Sequence, residues 1–446
     1  MFRRTRLLLG ISVFWLALSV LSDGINTLVL PLQLSGYSSA NNQATLFGLL
    51  TFIGLFAGAF VQPIAGTFSD RFQPIHGRGG FIGIGVILSL TSLFFFAVVK
   101  SIFGIMVSYL AIQISASIAQ AGQQGLLPDL VDEHRRGLAS GLKGFMDLTG
   151  AMLGFVILGQ LLGAGQSLLA IGVIAALLII TYLIAIVLTP EDRSNQGTVV
   201  KTTIPLRGIF SIDLTRQTDF VRLILARFLF LLGIYGTGRF LLLFVANRLG
   251  LSEAQAAEQA GNLLAGLALI TILASPSAGW LADRIGRVPL MIAGAILSAA
   301  SALMLIWAES TSQTLLFGGL MSIGSAAFAG GSWALIADLV PKNESARFFG
   351  LANFSTAGSA AMAGLFGPMI DGVEHISRGL GFSLLFFVAS LAFLASILPI
   401  KNILLKEVKD VKERNENQRK IRSDAARLAI LSLPADPTAI KKDQNP

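Results

Sequence analysis

Twelve times between residues 7 and 400, an apolar run of about twenty residues gives way to a short polar break. This rhythm leaves the chain little freedom of fold. A helix needs about 20 mostly apolar residues to cross the hydrocarbon core of a bilayer, and in lipid every backbone polar group must be bonded internally. The runs centre near residues 20, 55, 90, 114, 151, 178, 233, 267, 298, 325, 358 and 390. Composition agrees: charged residues make up 13%, about half the roughly 25% usual in soluble domains. The expectation is an all-α polytopic membrane protein with twelve transmembrane helices.

The N-terminus imitates a secretory leader, with a basic start and an apolar run. Apolar character resumes after Asp23 in "INTLVLPLQL", however, and no small-residue cleavage site intervenes, so an uncleaved first span is expected. Charge assigns the faces. Of 33 basic residues, Lys100, Arg248 and Arg378 fall in loops on one side and Arg227 and Arg239 inside a span, leaving 28 on the other side. The positive-inside rule makes that face cytoplasmic, with both termini on it, and locates the protein in the cytoplasmic (inner) membrane. The formal charge of +8 is therefore topology, and no nucleic-acid partner is indicated.

Two stretches recur at matching places: "GTFSDRFQPIHGR" (66–78) after the second run and "GWLADRIGRVP" (279–289) after the eighth. Asp70 and Asp283 lie 213 residues apart. "LLPDLVDEHRRG" closes the fourth run and "LIADLVPKNESARFFG" the tenth; Asp129 and Asp338 are 209 apart, while Gly137 and Gly350 return to 213. The chain thus reads as two like halves: an N-terminal six-helix bundle (1–189), a cytoplasmic linker (190–218), a C-terminal six-helix bundle (219–400) and a basic cytoplasmic tail (401–446). Such repeats place a substrate site between the halves, near the membrane midplane. In each motif, Gly66 or Gly279 is expected to let the chain turn after its span. Asp70 and Asp283 suit helix N-termini, and the arginines suit carboxylates. The expected cytoplasmic gate is Gly66, Asp70, Arg71, Arg78, Asp129 and Arg136 in one half, and Gly279, Asp283, Arg284, Arg287, Asp338 and Arg347 in the other.

At these motifs the chain resembles the major facilitator superfamily, whose loop between spans two and three reads roughly G-x-x-x-D-R-x-G-R-[RK] and is echoed between spans eight and nine. The resemblance covers residues 7 to about 400. It implies two pseudo-symmetric bundles, a central cavity lined by spans one, four, seven and ten, and rocker-type alternating access. The longer first copy, Asp70-Arg71 followed at a distance by Gly77-Arg78, is similar to the glycoside–pentoside–hexuronide symporters and plant-type sucrose carriers. Proton–drug antiporters usually carry an Arg in span four and a Gly-Pro-rich span five. Span four here has no Arg, and "GFMDLTGAMLGFVILGQLLG" has glycines but no proline.

Ionisable groups within spans are costly and are the first candidates for function. Asp23 lies in the outer half of span one, one turn before Asn26; it suits either proton or cation coupling or a permanent pairing at a helix break. Arg239 follows Tyr235 by one turn in span seven. It faces Asp23 across the cavity, holds a substrate group, or snorkels to the outer interface. Asp147 and Arg227 each lie roughly 12 Å from the cytoplasmic edge at 1.5 Å per residue, and Lys143 is placed to neutralise Asp147. Gln113, Ser117, Gln120 and Gln124 share one face of span four. They fit a hydroxyl-rich ligand or, equally, polar glue between helices. Trp333 and Asn353 are further substrate-binding candidates, with Ser322, Ser325, Ser332 and Thr356 beside them.

The sequence contains no phosphate-cradling loop, no cysteine, and three histidines without metal-ligand spacing. No enzyme, cofactor or metal is indicated. The expected function is proton- or cation-coupled secondary transport of a small polar solute, a sugar or glycoside being favoured, by a monomer in contact with bilayer lipid. The alternatives are proton-driven efflux of amphipathic compounds, or a non-transporting assembly protein.

Overall fold

The computed structural model describes residues 2–37, 42–131, 136–189, 217–339, 345–377 and 379–403. All regular structure among them is helical. Among the described residues, eleven helices are long and apolar enough to cross a membrane. In the first half these are Arg6–Ser35, Gln43–Ser69, Gly77–Val98, Ile102–Leu127, Leu138–Gly163 and Ser167–Leu188. In the second they are Thr218–Arg239, Glu253–Ile285, Arg287–Leu305, Thr311–Ile336 and Leu380–Ile403. The run expected as the eleventh span is present in pieces. Ser345–Met362 passes through a 3-10 turn at Ala363–Leu365 into Phe366–Glu374. Spans are numbered below in chain order, with Ser345–Glu374 as span eleven.

Most side chains with no polar atom have two places to go, the bundle interior or the lipid. Phe14, Tyr109, Phe230, Phe328 and Phe393 are fully buried, and Phe230 stacks on Phe328 at 3.9 Å. Ile87, Phe103, Leu168, Val187, Leu273 and Leu398 are more than 60% exposed. In water such a surface would aggregate; around a membrane bundle it is the lipid-facing wall.

The turns in the repeated motifs lie later than expected. Helix continues from Gln43 to Val98, interrupted where Gly77 adopts φ 68°, ψ 167°. The second copy turns at Gly286, φ 95°. Gly66 and Gly279 sit inside helices, with open space where a side chain would point. The glycine of each Gly-Arg pair therefore makes the turn. A positive φ is strained for any residue with a Cβ, whereas Gly66 and Gly279 need no special backbone. Arg78, just after the first turn, is buried and ties three spans: Nε donates to Asp129 Oδ2 at 2.5 Å and Nη1 to Ser69 Oγ at 3.3 Å. At the equivalent point of the second half, Arg287 Nη1 donates to the Ala334 carbonyl at 2.8 Å. Asp283 is exposed, and Arg284 lies over the Trp280 ring at 4.0 Å. The side chains of Asp70, Arg71, Arg136, Asp338 and Arg347 lie outside the described residues, as do the linker through residue 216 and the tail from 404.

Candidate transport pathway

Span one is not a uniform α-helix. Between Ile25 and Val29 it widens into a π-helical turn, an insertion often found at functional sites. One polar residue precedes the irregularity and another lies within it. Asp23 accepts a hydrogen bond from Ser19 Oγ at 2.8 Å. Asn26 is buried, and its Oδ1 accepts from both Tyr109 OH and Gln113 Nε2 in span four, each at 2.7 Å. In the second half the helix beginning at Thr218 ends at Arg239, and a new one starts at Leu241 after Phe240. Asn26 and Arg239 are 213 residues apart, the offset of the repeat. Both halves thus break their first span at the same place and set a polar side chain there.

The span-four face resolves in two ways. Gln113 is bonded to Asn26, and Ser117 packs where Gly58 of span two leaves room. Both are buried between helices, while Gln120 and Gln124 stay partly open. Gln123, which the sequence did not single out, donates to the Ile11 carbonyl at 2.5 Å and is buried. A glutamine beside the polar stripe carries no mark in sequence that it will reach a neighbouring backbone.

Asp23, Asp147, Arg227 and Arg239 all lie within electrostatic range of Tyr235 of span seven. Asp23 is within electrostatic reach of Asp147 and Arg239, and Ser19 interacts with both Asp23 and Asp147. The expected ion pair between Asp23 and Arg239 is not formed: Arg239 is buried and Nη1 donates to the Ala360 carbonyl of span eleven at 2.8 Å. Nor does Lys143 close an ion pair on Asp147. Its Nζ lies over the Trp15 ring at 3.7 Å, close enough for Asp147 to feel its charge. Arg227 is bound within its own half, Nη1 to Ser332 Oγ at 2.8 Å and Nη2 to Thr356 Oγ1 at 3.4 Å, with Cζ 4.1 Å from the Trp333 ring centre. Asn353 is partly buried on span eleven.

The two halves meet most closely at the end away from the repeated motifs. There Gly48 of span two packs against Gly364 and Gly367 of span eleven, and Gly159 of span five against Gly261 of span eight, backbone on backbone. Three hydrogen bonds reinforce this seam. The Thr45 amide donates to Asp371 Oδ2 at 2.6 Å, and Gln160 Nε2 reaches Glu258 Oε1 at 3.5 Å and Asn262 Oδ1 at 3.3 Å. Asp371 is buried and caps the first turn of span two from the opposite half. Above the seam lies a cavity of about 220 Å³ bordered by Gln43, Asn247, Glu253, Asp371 and Glu374. At the motif end, Gly66 and Gly279 meet nothing across the boundary.

Solved structures share this architecture. A bacterial homolog of the human lysosomal transporter Spinster, inward-facing and occupied, aligns with TM-score 0.63 at 16% identity, over 90% of this chain and 95% of that one. A POT family transporter in complex with 5-aminolevulinic acid gives 0.67 at 14%, over 90% and 96%. The nucleoside transporter NupG, as a mutant, gives 0.66 at 13%, over 89% and 99%. Among curated proteins, the multi-drug resistance efflux pump PmrA of Streptococcus pneumoniae is 35% identical over 163 residues, 36% of this chain. The match spans 39% of that relative's length. The family model described as Major Facilitator Superfamily matches residues 7–258 and 223–440. Two halves broken at equivalent points, a polar centre between them and this match lead to one conclusion: the chain belongs to the Major Facilitator Superfamily of transporters.

Proposed function

We propose that the protein is a proton-coupled secondary transporter that expels amphipathic organic compounds. The observation that carries this reading is the pair of intramembrane carboxyls, Asp23 and Asp147, joined through Ser19, with Asp23 within electrostatic reach of Arg239 on the other half. Taking up a proton on Asp23 removes a charge that attracts the two halves to each other, and releasing it restores that charge. A ligand or proton shifts a two-state equilibrium only through such a difference between the states. The seam at residues 45–48, 159–160, 258–262 and 364–371 is then the closed outer gate, and the motif end is the open, cytoplasmic one.

Two observations favour an amphipathic cargo. Gln113 and Ser117, half of the span-four face suited to sugar hydroxyls, are engaged between helices. Aromatic surface borders the boundary instead: along span two Phe52 stacks on Phe56, Phe56 meets Phe60 edge-on, and Phe60 meets Phe354 of span eleven at 6.5 Å. The partial likeness to a multi-drug resistance efflux pump agrees. Symport of a sugar or glycoside is the second reading, favoured by Gln120 and Gln124, which remain partly open.

Proteoliposomes under an imposed pH gradient test both readings, with uptake compared between amphipathic fluorescent dyes of different charge and radiolabelled glycosides. The gradient is expected to drive dye but not glycoside, and Asp23→Asn and Asp147→Asn to abolish the gradient dependence in folded protein. Glycoside accumulation, or dye transport indifferent to both substitutions, overturns the proposal.

A further inference from the structure

Several charged side chains of the spans lie near a charge of opposite sign; Arg227 has no carboxylate partner among the described residues. Asp23, Asp147, Lys143 and Arg239 form a linked set, Arg78 pairs with Asp129, and Arg222 with Asp219. Arg227 is 5% exposed and lies within span seven. No carboxylate among the described residues pairs with it, and the group it interacts with electrostatically is the Tyr235 phenol. Its partners are the neutral hydroxyls of Ser332 and Thr356, the second at a long 3.4 Å. Nε has no hydrogen-bond partner at all. An uncompensated guanidinium in the membrane interior is costly, and an orphaned donor on it adds to the cost.

The incompletely satisfied part of the group is the buried edge formed by Nε, which has no partner, and Nη2, whose bond to Thr356 is long; this is the fork that grips a carboxylate or phosphate through two parallel hydrogen bonds. Beside it stands Trp333, stacked on the guanidinium and 37% exposed although it lies in a span. Spans seven, ten and eleven meet here, through Arg227, Ser332 with Trp333, and Thr356.

We propose that Arg227 and Trp333 form an anion-recognising subsite, and that the transported compound is an aromatic or otherwise apolar molecule bearing one carboxylate or similar anionic group. The anion takes the Nε–Nη2 edge, the apolar body lies on the Trp333 face, and the ring moves aside to admit it. The inference rests on the proposed transport of amphipathic compounds and adds the charge that the cargo carries. It separates the roles of the two arginines: Arg239 answers the coupling carboxyls, and Arg227 answers the substrate.

The test is equilibrium binding to the full-length protein in lipid nanodiscs at pH 7.5, where the acids used are ionised. The probes are 1-naphthylacetate, 1-pyrenebutyrate and N-dansylglycine, each compared with its neutral methyl ester. At least one acid is expected to bind about tenfold or more tightly than its ester. Arg227→Gln should bring acid and ester within twofold of each other, whereas Arg227→Lys, which keeps the charge and loses the fork, should retain part of the preference. Equal binding of acid and ester by the unmodified protein, no binding of any acid, or a preference that survives Arg227→Gln each overturns the subsite. If neutral or cationic dyes are still driven by the pH gradient when acids show no preference, this inference fails alone; if no dye is driven, the transport reading fails with it.

Discussion

Replacing Gly367 by alanine should force the outer seam open. A Cβ on Gly367 would collide with the Ala44 carbonyl group and approach the Gly48 Cα at 3.1 Å. These are backbone atoms that no rotamer change can clear. The Ala44 oxygen is the nearest of them, far inside the distance of about 3.3–3.6 Å at which carbon and oxygen meet, so spans two and eleven would have to part by roughly 1–1.5 Å. Forcing one extra methyl into a closely packed contact costs about 1–3 kcal/mol. That cost falls on the state in which the seam is closed, because the seam opens when the halves rock. The closed-to-open ratio should therefore fall about 5- to 150-fold. The chain contains no cysteine, so a single reporter thiol is unambiguous. Thr51 is fully buried at this seam, with Oγ1 donating to the Gly48 carbonyl at 2.9 Å, and Thr51→Cys is close to isosteric. Its reaction with a membrane-impermeant maleimide should be slow in the parent and faster by the stated factor with Gly367→Ala. Gly172→Ala, where a Cβ meets nothing within 4 Å, should leave the rate unchanged. A labelling rate within twofold of the parent, in protein that elutes as a folded monodisperse species, would refute the reasoning.

Two further outcomes are expected. Asp371→Ala removes the carboxylate that caps span two through the Thr45 amide; losing a cap costs about 0.5–2 kcal/mol, so the same thiol should react about 2- to 30-fold faster, and an unchanged rate would show that the bond does not hold the gate. Asn26→Leu leaves the Tyr109 hydroxyl and the Gln113 amide without their shared acceptor, at about 1–3 kcal/mol for each buried orphan. The thermal midpoint in detergent should drop, and Asn26→Asp, which keeps the acceptor oxygen, should recover most of it; equal loss in both variants would count against the bond.

The repeated motifs show where reading a sequence succeeds and where it stops. Their spacing marked two halves, and Arg78 and Asp129, both noted from sequence, meet in the fold. Gly66 and Gly279 were expected to turn the chain, yet Gly77 and Gly286 do so. Every motif contains glycines, and only the backbone reveals which one has positive φ. The broken eleventh span also escaped notice, since Gly364 and Gly367 are ordinary residues of an apolar run until Gly48 packs against them.

Hydropathy marked this chain as a series of membrane-spanning helices, because the cost of exposing polar backbone to hydrocarbon acts on each segment separately, and motif spacing marked its two halves. Only the tertiary structure decided which charges meet. It placed Arg239 on a backbone carbonyl rather than on Asp23, put Lys143 over Trp15, and left Arg227 without a carboxylate partner among the described residues. Partnership between helices depends on rotation, depth and bundle arrangement, and these are fixed by close contact among spans far apart in sequence.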